Sequence, residues 1–336
     1  MSSIKDIAKL CGVSVATVSK ALNDKEDIGE ETKKRIKEVA RQNGYFPQYY
    51  ARAIRMNKSY NLGVLFVDEA MSGLTHDYFA NILNSFKVMA ESKGYDITFI
   101  NSNRKNRKGK TFLEHCRYRG LDGVMIACIP FENPEVIELL ESNIPVVTID
   151  YQFKNRICIM SDNITGMRKL MEYVISMGHK KIAYISGDKS VVTSQRLESF
   201  QNVIKENGLE IPEEYQLSSS YRNLEEAAMY TRQLLELSVP PTCILYADDY
   251  SAVGGINQIR SMGLQIPGDI SVAGFDDIFL AKQLCPRLTT VFQDSEVIGK
   301  RAAERLISLI EKRNISFKPV LVRTELKKGA SVRKLL

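Results

Sequence analysis

The sequence predicts an α/β protein in which a small basic helical module precedes two similar α/β lobes. From about residue 60 onward, short β-rich apolar runs alternate with amphipathic helices, which is typical of βαβ units around parallel sheets. The first 58 residues instead contain short helical patterns. They hold 12 Lys and Arg against 7 Asp and Glu, whereas the remaining 278 residues hold 34 against 33. The basic excess of the chain therefore lies on the N-terminal module.

The first predicted element pair is a helix-turn-helix. Helix one is expected over about residues 4–11, with Ala8 at the close approach of the two helices and Gly12 supplying the permissive φ of the turn. Ser14 is the expected N-cap of the second helix, its hydroxyl accepting from the N–H of Ala16 or Thr17. The apolar residues that hold the pair together are Ile4, Ile7, Leu10, Val13, Val18 and Leu22.

The second helix has the pattern of an element that enters a DNA major groove. It starts with exposed Val15, Ala16 and Thr17 and carries Lys20 one turn further on. The basic excess of the module supports this interpretation, because cations that neutralise phosphates release counterions and gain affinity.

A third amphipathic helix is predicted in GEETKKRIKEVARQNG, with Ile36, Val39 and Ala40 facing inward and Gly44 ending it. Pro47 stops this helix, and YARAIRM then forms a short helical run in which Arg52 and Arg55 flank Ile54. A large aliphatic residue between arginines suits a hinge helix that inserts an apolar wedge into the minor groove. Three helices with so few apolar residues form a marginal core.

The rest of the chain is predicted to form a hinged pair of lobes with a ligand in the cleft. The first lobe contains the strands LGVLFV, DITFI, GVMIACI and VVTID, and the second contains KIAYISG, TCILYA and ISVAGFD. Ligands of open parallel sheets bind at the carboxyl ends of the strands. Arg196 is the cation expected to join the carboxylates found there. These carboxylates are Asp150, Asp188, Asp248, Asp249, Asp276 and Asp277. Asp249 and Asp277 are expected to cap the helices that follow them.

Several motifs together resemble the LacI/GalR family of bacterial transcription regulators. They are IKDIAKLCGVSVATVSKALN, the third helix, the Tyr45 to Pro47 exit, the Ala51-Arg52 hinge, GHKKIAYISG, PTCILYADD, GDISVAGFDD and PRLTTVFQD. The resemblance covers essentially the whole chain. It implies an α/β fold class with an N-terminal three-helix helix-turn-helix headpiece and hinge helix, followed by a two-lobed, periplasmic-binding-protein-like sensor domain with parallel sheets.

The resemblance also implies domain boundaries. The headpiece spans residues 1–46, the linker and hinge helix 47–59, and the effector-binding and dimerisation domain 60–336. The N-lobe is expected at about 60–161 and 290–319, and the C-lobe at about 162–289 and 320–336.

For DNA, the resemblance implies a repressor that binds a palindromic double-stranded operator as a homodimer, with Val15, Ala16 and Lys20 reading bases and Ile54 intercalating. The family usually has leucine at the hinge and often arginine or histidine in place of Lys20. A lysine still donates to guanine, but it lacks the planar fork of arginine. The full predicted DNA-contacting set is Ser14, Val15, Ala16, Thr17, Ser19, Lys20, Asn23, Arg52, Ile54 and Arg55.

For the effector, the resemblance implies contacts from Arg196, Asp248 and Asp276, although many relatives have asparagine in place of Asp248. The expected wall residues are Tyr78, Phe79, Asp150, Met160 and Gln293. Carboxylates beside one arginine suit the vicinal hydroxyls of a small sugar or polyol. Effector binding would change the angle between lobes and thereby reorient the hinge helices.

The sequence gives no pattern for catalysis, a cofactor or a metal. It contains three histidines, of which His179 is expected to be structural, and none of the motifs HExxH, GxSxG, Walker lysine loop or GxGxxG. The six cysteines lie singly and are expected to be reduced and mostly buried. Lys5, Asp6 and Lys9 stand where a signal peptide would be apolar, and no run approaches 18 apolar residues. We therefore expect a cytoplasmic protein with no membrane partner.

Three alternatives stay open at this point. The same DNA-binding regulator can be controlled by a phosphorylated partner protein docking on the N-lobe, or by a purine stacked on Tyr78 or Phe79. A solute-binding protein without a DNA role would share the clamshell, but it would need export and would not need the headpiece.

Overall fold

The computed structural model describes residues 2–45, 58–68, 73–313 and 316–335. The chain divides into two compact units, Met1–Tyr60 and Asn61–Leu336, here called the headpiece unit and the sensor unit. The predicted hinge helix and most of the predicted linker, residues 46–57, lie outside the described residues. Within the part of the chain that the structure describes, no helix combines the length and apolar character needed to cross a membrane.

The headpiece unit contains the three predicted helices: α1 (Ile4–Cys11), α2 (Val15–Leu22) and α3 (Glu30–Gln42). Gly12 ends α1 at φ +63°, as the turn requires, and the Ser14 hydroxyl accepts from the N–H of Thr17 at 3.0 Å. A small core joins the helices, and its buried residues are Ile7, Ala8, Cys11, Val18, Ala21, Ile36 and Ala40. The Arg35 guanidinium donates to the Cys11 carbonyl at 3.1 Å and so ties α3 to α1.

The first lobe of the sensor unit is built on a parallel sheet. Its strands and helices, in chain order, are β1 (Asn61–Phe66), α4 (Asp77–Ser92), β2 (Asp96–Phe99), α5 (Phe112–Arg119), β3 (Gly123–Ala127), α6 (Pro134–Glu141), β4 (Val146–Ile149) and β5 (Ile157–Ser161). A 3-10 turn at Gly73–Thr75 precedes α4. Strands β3, β4 and β5 are buried at every position, which explains their continuous apolar runs.

The second lobe follows the same pattern with a smaller parallel sheet. Its elements are α7 (Asn163–Ser176), β6 (Ile182–Ser186), α8 (Val191–Glu206), a 3-10 turn at Glu213–Tyr215, β7 (Gln216–Ser218), α9 (Leu224–Leu235), β8 (Cys243–Tyr246), α10 (Asp249–Ser261), β9 (Ser271–Ala273) and α11 (Phe279–Gln283). The strand order is β7-β6-β8-β9, with Tyr184 paired to Leu245 and Leu245 to Ala273.

The last elements cross between the lobes. They are β10 (Thr290–Gln293), α12 (Ser295–Ile310), β11 (Val320–Val322) and β12 (Thr324–Lys327). Helix α12 packs on α4 in the first lobe. Gly299 permits this approach, because a Cβ atom there would lie 2.1 Å from the Ile82 carbonyl oxygen. Strands β10 and β12 pair antiparallel, and Val332 near the C-terminus packs in the core of the second lobe.

Strand β11 corrects one predicted boundary. It pairs with β5, with Leu321 opposite Met160, and completes the first-lobe sheet in the order β11-β5-β4-β3-β1-β2. The sequence prediction placed residues from 320 onward in the C-lobe, so that boundary falls before a strand that belongs to the N-lobe. A three-residue edge strand with Leu321 exposed carries too little pattern to show which sheet it joins.

Candidate functional site

The first turn of α2 presents an exposed surface. Val15 and Ala16 are exposed, whereas Val18 and Ala21 of the same helix are fully buried. Thr17 is half-buried, and its hydroxyl lies 2.9 Å from that of Ser14. The cap and the core therefore fix the helix while its N-terminal side chains remain free to touch another molecule.

Lys20 on α2 forms an ion pair with Asp27, and both side chains are about half exposed. The hydrogen bond from Lys20 lowers the pKa of the Asp27 carboxyl below its usual value. At the end of α2, the half-buried Asn23 donates from Nδ2 to the Ser19 carbonyl at 2.6 Å. Asn23 thus closes the helix, and Lys20 has an internal anion beside it.

The predicted hinge residues Arg52, Ile54 and Arg55 lie outside the described residues. Their minor-groove contacts stay a prediction.

In the sensor unit, polar side chains follow the carboxyl ends of strands from both lobes, as predicted. Asp150 follows β4 and Asp276 lies just beyond β9, at φ +59° and +116° respectively. Residues other than glycine adopt such values at a cost, and they concentrate at functional sites. Burial raises the pKa of both Asp150 and Asp276, and the positive charge of Arg196, on α8 of the second lobe, opposes this rise in each. These three groups therefore share one electrostatic environment across the lobes.

Arg196 is held on two sides within the second lobe. Its side chain is buried, with Nε donating to Asn163 Oδ1 at 2.9 Å and Nη1 donating to the Ala247 carbonyl at 2.8 Å. The guanidinium carbon lies 3.6 Å from the ring centroid of Phe275. Nη2 makes no hydrogen bond to any residue that the structure describes. One nitrogen of a rigid fork is thus left for a ligand.

Tyr78 and Asp150 form the corresponding polar group of the first lobe. The buried Tyr78 hydroxyl donates to Asp150 Oδ2 at 3.1 Å. Burial raises the pKa of Asp150 to about 6. Asp150 Oδ1 and the hydroxyl of Ser161, at the end of β5, are buried with no hydrogen-bond partner among the described residues. Such groups are costly unless something else satisfies them.

Asp276 is oriented by Gln293, whose Nε2 donates to Asp276 Oδ1 at 2.5 Å. Burial raises the pKa of the Asp276 carboxyl. The two apolar residues predicted to line the effector site lie in the first lobe, as Tyr78 and Asp150 do. Met160 is buried within β5, and Phe79 is half-buried with its ring centroid 5.1 Å from that of Tyr78.

The capping roles predicted for the paired aspartates were wrong. Asp248 caps α10 instead of Asp249, since its carboxylate accepts from the N–H and hydroxyl of Ser251 at 2.8 and 3.0 Å and from the N–H of Arg222 at 2.8 Å. The predicted effector contact of Asp248 stays a prediction. Asp249 is fully buried and accepts from the Thr290 hydroxyl at 2.6 Å, and burial raises its pKa well above the usual value.

Asp277 does not cap α11 either. Ile278 occupies the N-cap position there without a side-chain hydrogen bond. The buried Asp277 carboxylate instead lies 3.3 Å from Lys282 Nζ. Neither capping role can be distinguished by sequence, because two adjacent aspartates after a strand each have the composition of a cap.

Sequence reasoning missed a group that bridges the lobes. The Tyr250 hydroxyl, in the second lobe, donates to Oδ2 of Asp77, the first residue of α4, at 2.6 Å. The guanidinium carbon of Arg222 lies 3.8 Å from the Tyr250 ring centroid, and its Nη1 lies 3.8 Å from the same Asp77 oxygen. Arg222 follows β7, so the rule that placed the other contacts at strand ends would have found it had that three-residue strand been recognised.

His179 is structural, as predicted. It is fully buried, with Nδ1 2.9 Å from the Thr242 hydroxyl and Nε2 3.1 Å from the Arg333 carbonyl oxygen. Among the described residues, no group of three or more His, Cys, Asp and Glu side chains has the arrangement of a metal site.

Comparisons with known proteins agree with this architecture. Residues 3–48 match the family described as bacterial regulatory proteins, lacI family, and residues 171–332 match the periplasmic binding protein-like domain. The chain is 34% identical over 339 residues to the probable HTH-type transcriptional repressor ExuR of Bacillus subtilis (strain 168), covering 100% of this chain and 99% of that protein. It is 28% identical over 340 residues to the HTH-type transcriptional repressor PurR of Mannheimia succiniciproducens, covering all of both chains.

Among solved structures, the crystal structure of the lac repressor dimer bound to operator and the anti-inducer ONPF has a TM-score of 0.84 at 23% identity, covering 99% of each chain. This likeness confirms the predicted fold class. Both of these curated relatives are named as HTH-type transcriptional repressors. The full-length match to a repressor at 34% identity and the exposed helix α2 lead to one conclusion: this chain belongs to the LacI family and is a DNA-binding transcriptional repressor with a ligand-binding sensor domain.

Proposed function

We propose that this repressor binds a palindromic operator as a homodimer, and that a small polyhydroxylated molecule, a sugar or polyol, binds between the lobes of the sensor unit and changes operator affinity. One observation supports the effector most directly. Both lobes present polar groups without a hydrogen-bond partner among the described residues: Nη2 of Arg196, on α8 of the second lobe, and Asp150 Oδ1 and the Ser161 hydroxyl, at strand ends of the first.

The chemistry of these groups suits vicinal hydroxyls. A hydroxyl both donates and accepts, so it can donate to Asp150 or Asp276 while it accepts from Arg196. The half-buried ring of Phe79 offers an apolar surface to the less polar side of a sugar ring. Contacts from both lobes also give a ligand different affinities for different lobe angles, which is the condition for control.

The dimer and the palindrome follow from the size of the DNA-binding element. A single α2 helix reads one short half-site, and related headpieces obtain specificity by placing two such helices on two half-sites. The lac repressor structure with a similar fold is described as a dimer on its operator. We infer the same arrangement for this chain.

The experiment is a selection of genomic fragments by the full chain, followed by footprinting of the bound fragments. We expect protected inverted repeats with two half-sites. A thermal-shift screen of sugars, polyols and purines against the full chain then identifies the effector, because a ligand that binds the folded state raises its melting temperature. The hit should change operator affinity about 5- to 150-fold.

Two results would contradict this proposal. Footprints without two-fold symmetry would exclude the palindrome. If a phosphorylated protein changes operator affinity while no small molecule shifts melting, control by a partner protein would replace the small effector. Arg196→Ala is expected to abolish the melting shift that the effector causes. Arg168→Ala, which removes a surface arginine paired with Glu206, is the matched control and should keep that shift.

A further inference from the structure

Arg222 follows β7 in the second lobe of the sensor unit and has an unusual backbone conformation. It adopts φ +61°, a left-handed conformation that costs free energy for a residue with a side chain. Its N–H donates to Asp248 Oδ2 at 2.8 Å, so the cap of α10 holds this backbone in place. The strained backbone conformation therefore fixes the direction of the Cα–Cβ bond of Arg222.

The guanidinium of Arg222 is enclosed but not satisfied. Its side chain is only 12% exposed and lies over the Tyr250 ring. A guanidinium carries five N–H donors, and among the described residues this one interacts only with the Tyr250 side chain and, at 3.8 Å, with the Asp77 carboxylate. The 3.8 Å from Nη1 to Asp77 Oδ2 is an ion pair too long to be a hydrogen bond.

Nearby carboxylates are already engaged with other donors. Asp77 accepts from the Tyr250 hydroxyl, Asp248 accepts from Ser251 and from a backbone N–H, and Asp276 accepts from Gln293. His76 cannot serve as the anion, because an imidazole is either neutral or cationic. Burial lowers the pKa of His76 to about 4. The described residues thus give Arg222 one carboxylate, at 3.8 Å, and no two-bond pair, so a bound molecule with two acceptor oxygens would complete its planar fork.

We propose that Arg222 binds an anionic group of the effector, a carboxylate or a phosphate, and that Asp77 pairs loosely with it in the absence of ligand. This rests on the proposed function, because the ligand is the effector of the same interlobe cleft. Arginine forms two parallel hydrogen bonds with either anion. The effector class is thus narrowed to a sugar acid or a sugar phosphate.

The position of Asp77 connects this recognition to the lobes. Asp77 begins α4 of the first lobe, whereas Arg222 belongs to the second. An effector anion that takes the guanidinium leaves Asp77 with the Tyr250 hydroxyl as its partner. One of the two contacts that bridge the cleft at this point is then weakened by the ligand.

The test measures the affinity of the full chain by calorimetry for matched neutral and anionic probes. The pairs are D-glucose with D-glucuronate, D-galactose with D-galacturonate, and D-glucose or D-fructose with its 6-phosphate. We expect at least one anionic probe to bind about 10- to 100-fold more tightly than its neutral counterpart, as for a charge-assisted hydrogen bond. The preferred pair distinguishes a carboxylate from a phosphate.

Three variants assign that preference. Arg222→Gln should remove it, whereas Arg232→Gln, which alters an exposed arginine of α9 paired with Glu236, should keep it. Asp77→Asn should tighten the anionic probe severalfold, because the amide still accepts from Tyr250 but no longer attracts Arg222. This gain would not arise if Arg222 served only to support the fold.

A neutral probe that binds best, an anionic preference that survives Arg222→Gln, or the failure of every anionic probe to bind would each overturn the proposal. In the first two cases the proposed control by a cleft ligand stands. If no sugar, polyol or purine of the panel raises the melting temperature of the full chain, that result would instead count against the proposed function.

Discussion

The headpiece and the interlobe cleft place their functional residues in opposite ways. In α2 the partners are close in sequence: Ser14 and Thr17 are 3 residues apart, and Lys20 and Asp27 are 7 apart. In the cleft, Tyr78 reaches Asp150 over 72 residues and Tyr250 reaches Asp77 over 173. The headpiece residues are exposed or half-buried on the surface of one small unit, whereas the cleft residues are largely buried. Local sequence thus determines the first surface, and the tertiary fold determines the second.

The largest effect should come from removing a cleft residue. Arg196→Ala leaves Asn163 Oδ1 and the Ala247 carbonyl without their donor and takes away the group packed on Phe275. We expect the free energy of unfolding of the sensor unit to fall by about 2–5 kcal/mol, since each buried orphaned acceptor costs about 1–3. Urea unfolding followed by circular dichroism measures this loss. Arg168→Ala is the control, and its surface ion pair with Glu206 should contribute little, because solvent screens exposed charges. Equal losses would contradict the difference between buried and exposed arginines.

The cleft should also make stability depend on pH. Burial raises the pKa of Asp150 in the folded chain to about 6, from 3.8 in the unfolded chain. The folded state therefore binds more protons between these values, and the free energy of unfolding falls as pH rises from about 4 to 6. Asp150→Asn removes this titration, so its stability relative to the wild type should increase over the same range. Unfolding curves at pH 4.5 and 6.5 test this, and parallel behaviour of the two proteins would contradict it.

A headpiece residue should alter recognition with little effect on stability. Lys20→Ala should weaken operator binding about 5- to 150-fold, which corresponds to about 1–3 kcal/mol for one base contact, and weaken binding to random DNA much less. Asp27→Asn should have the opposite, smaller effect, because it removes the anion paired with Lys20. Titrations with operator and random duplexes at one salt concentration measure both. Lys93→Ala, an exposed lysine of the sensor unit, is the control. Equal losses on both duplexes would exclude base reading by Lys20.

The smallest expected effect compares two helix caps. The hydroxyl of Ser14 in the headpiece and that of Ser190 in the sensor each accept from the N–H three residues on, at 3.0 Å. Replacement of either by alanine should cost about 1 kcal/mol. Ser14→Ala should accelerate amide hydrogen exchange throughout the headpiece, because its core is small, whereas Ser190→Ala should act mainly around α8. Uniform exchange changes across the chain would remove this distinction.

The sequence predicted the headpiece closely because caps, turns and apolar periodicity are local. Helix α1, the Ser14 cap and the Gly12 turn lie as expected. The parallel lobes and the strand-end positions of Asp150 and Asp276 were also predictable, because a buried strand has a distinct apolar run. Strands β7 and β11 were not, since each has only three residues, lacks the continuous burial of the equally short β9, and joins a sheet set by distant partners.

Side-chain partnerships in the cleft were the least predictable. The exchange of roles between Asp248 and Asp249 depends on which carboxylate faces Ser251 and which faces Thr290, 41 residues away from Asp249. Likewise, nothing near Asp77 in the sequence indicates Tyr250 or Arg222 as its partners. Such pairs are created by the packing of two lobes and have no local signature.

We propose that operator binding by the headpiece is coupled to effector binding in the interlobe cleft, and thermodynamic reciprocity tests this coupling. The effector found by screening is titrated into the full chain with and without saturating operator DNA, and operator is titrated with and without saturating effector. We expect each ligand to change the dissociation constant of the other by the same factor, about 5 to 150. Dissociation constants for either ligand that do not respond to the other would contradict it.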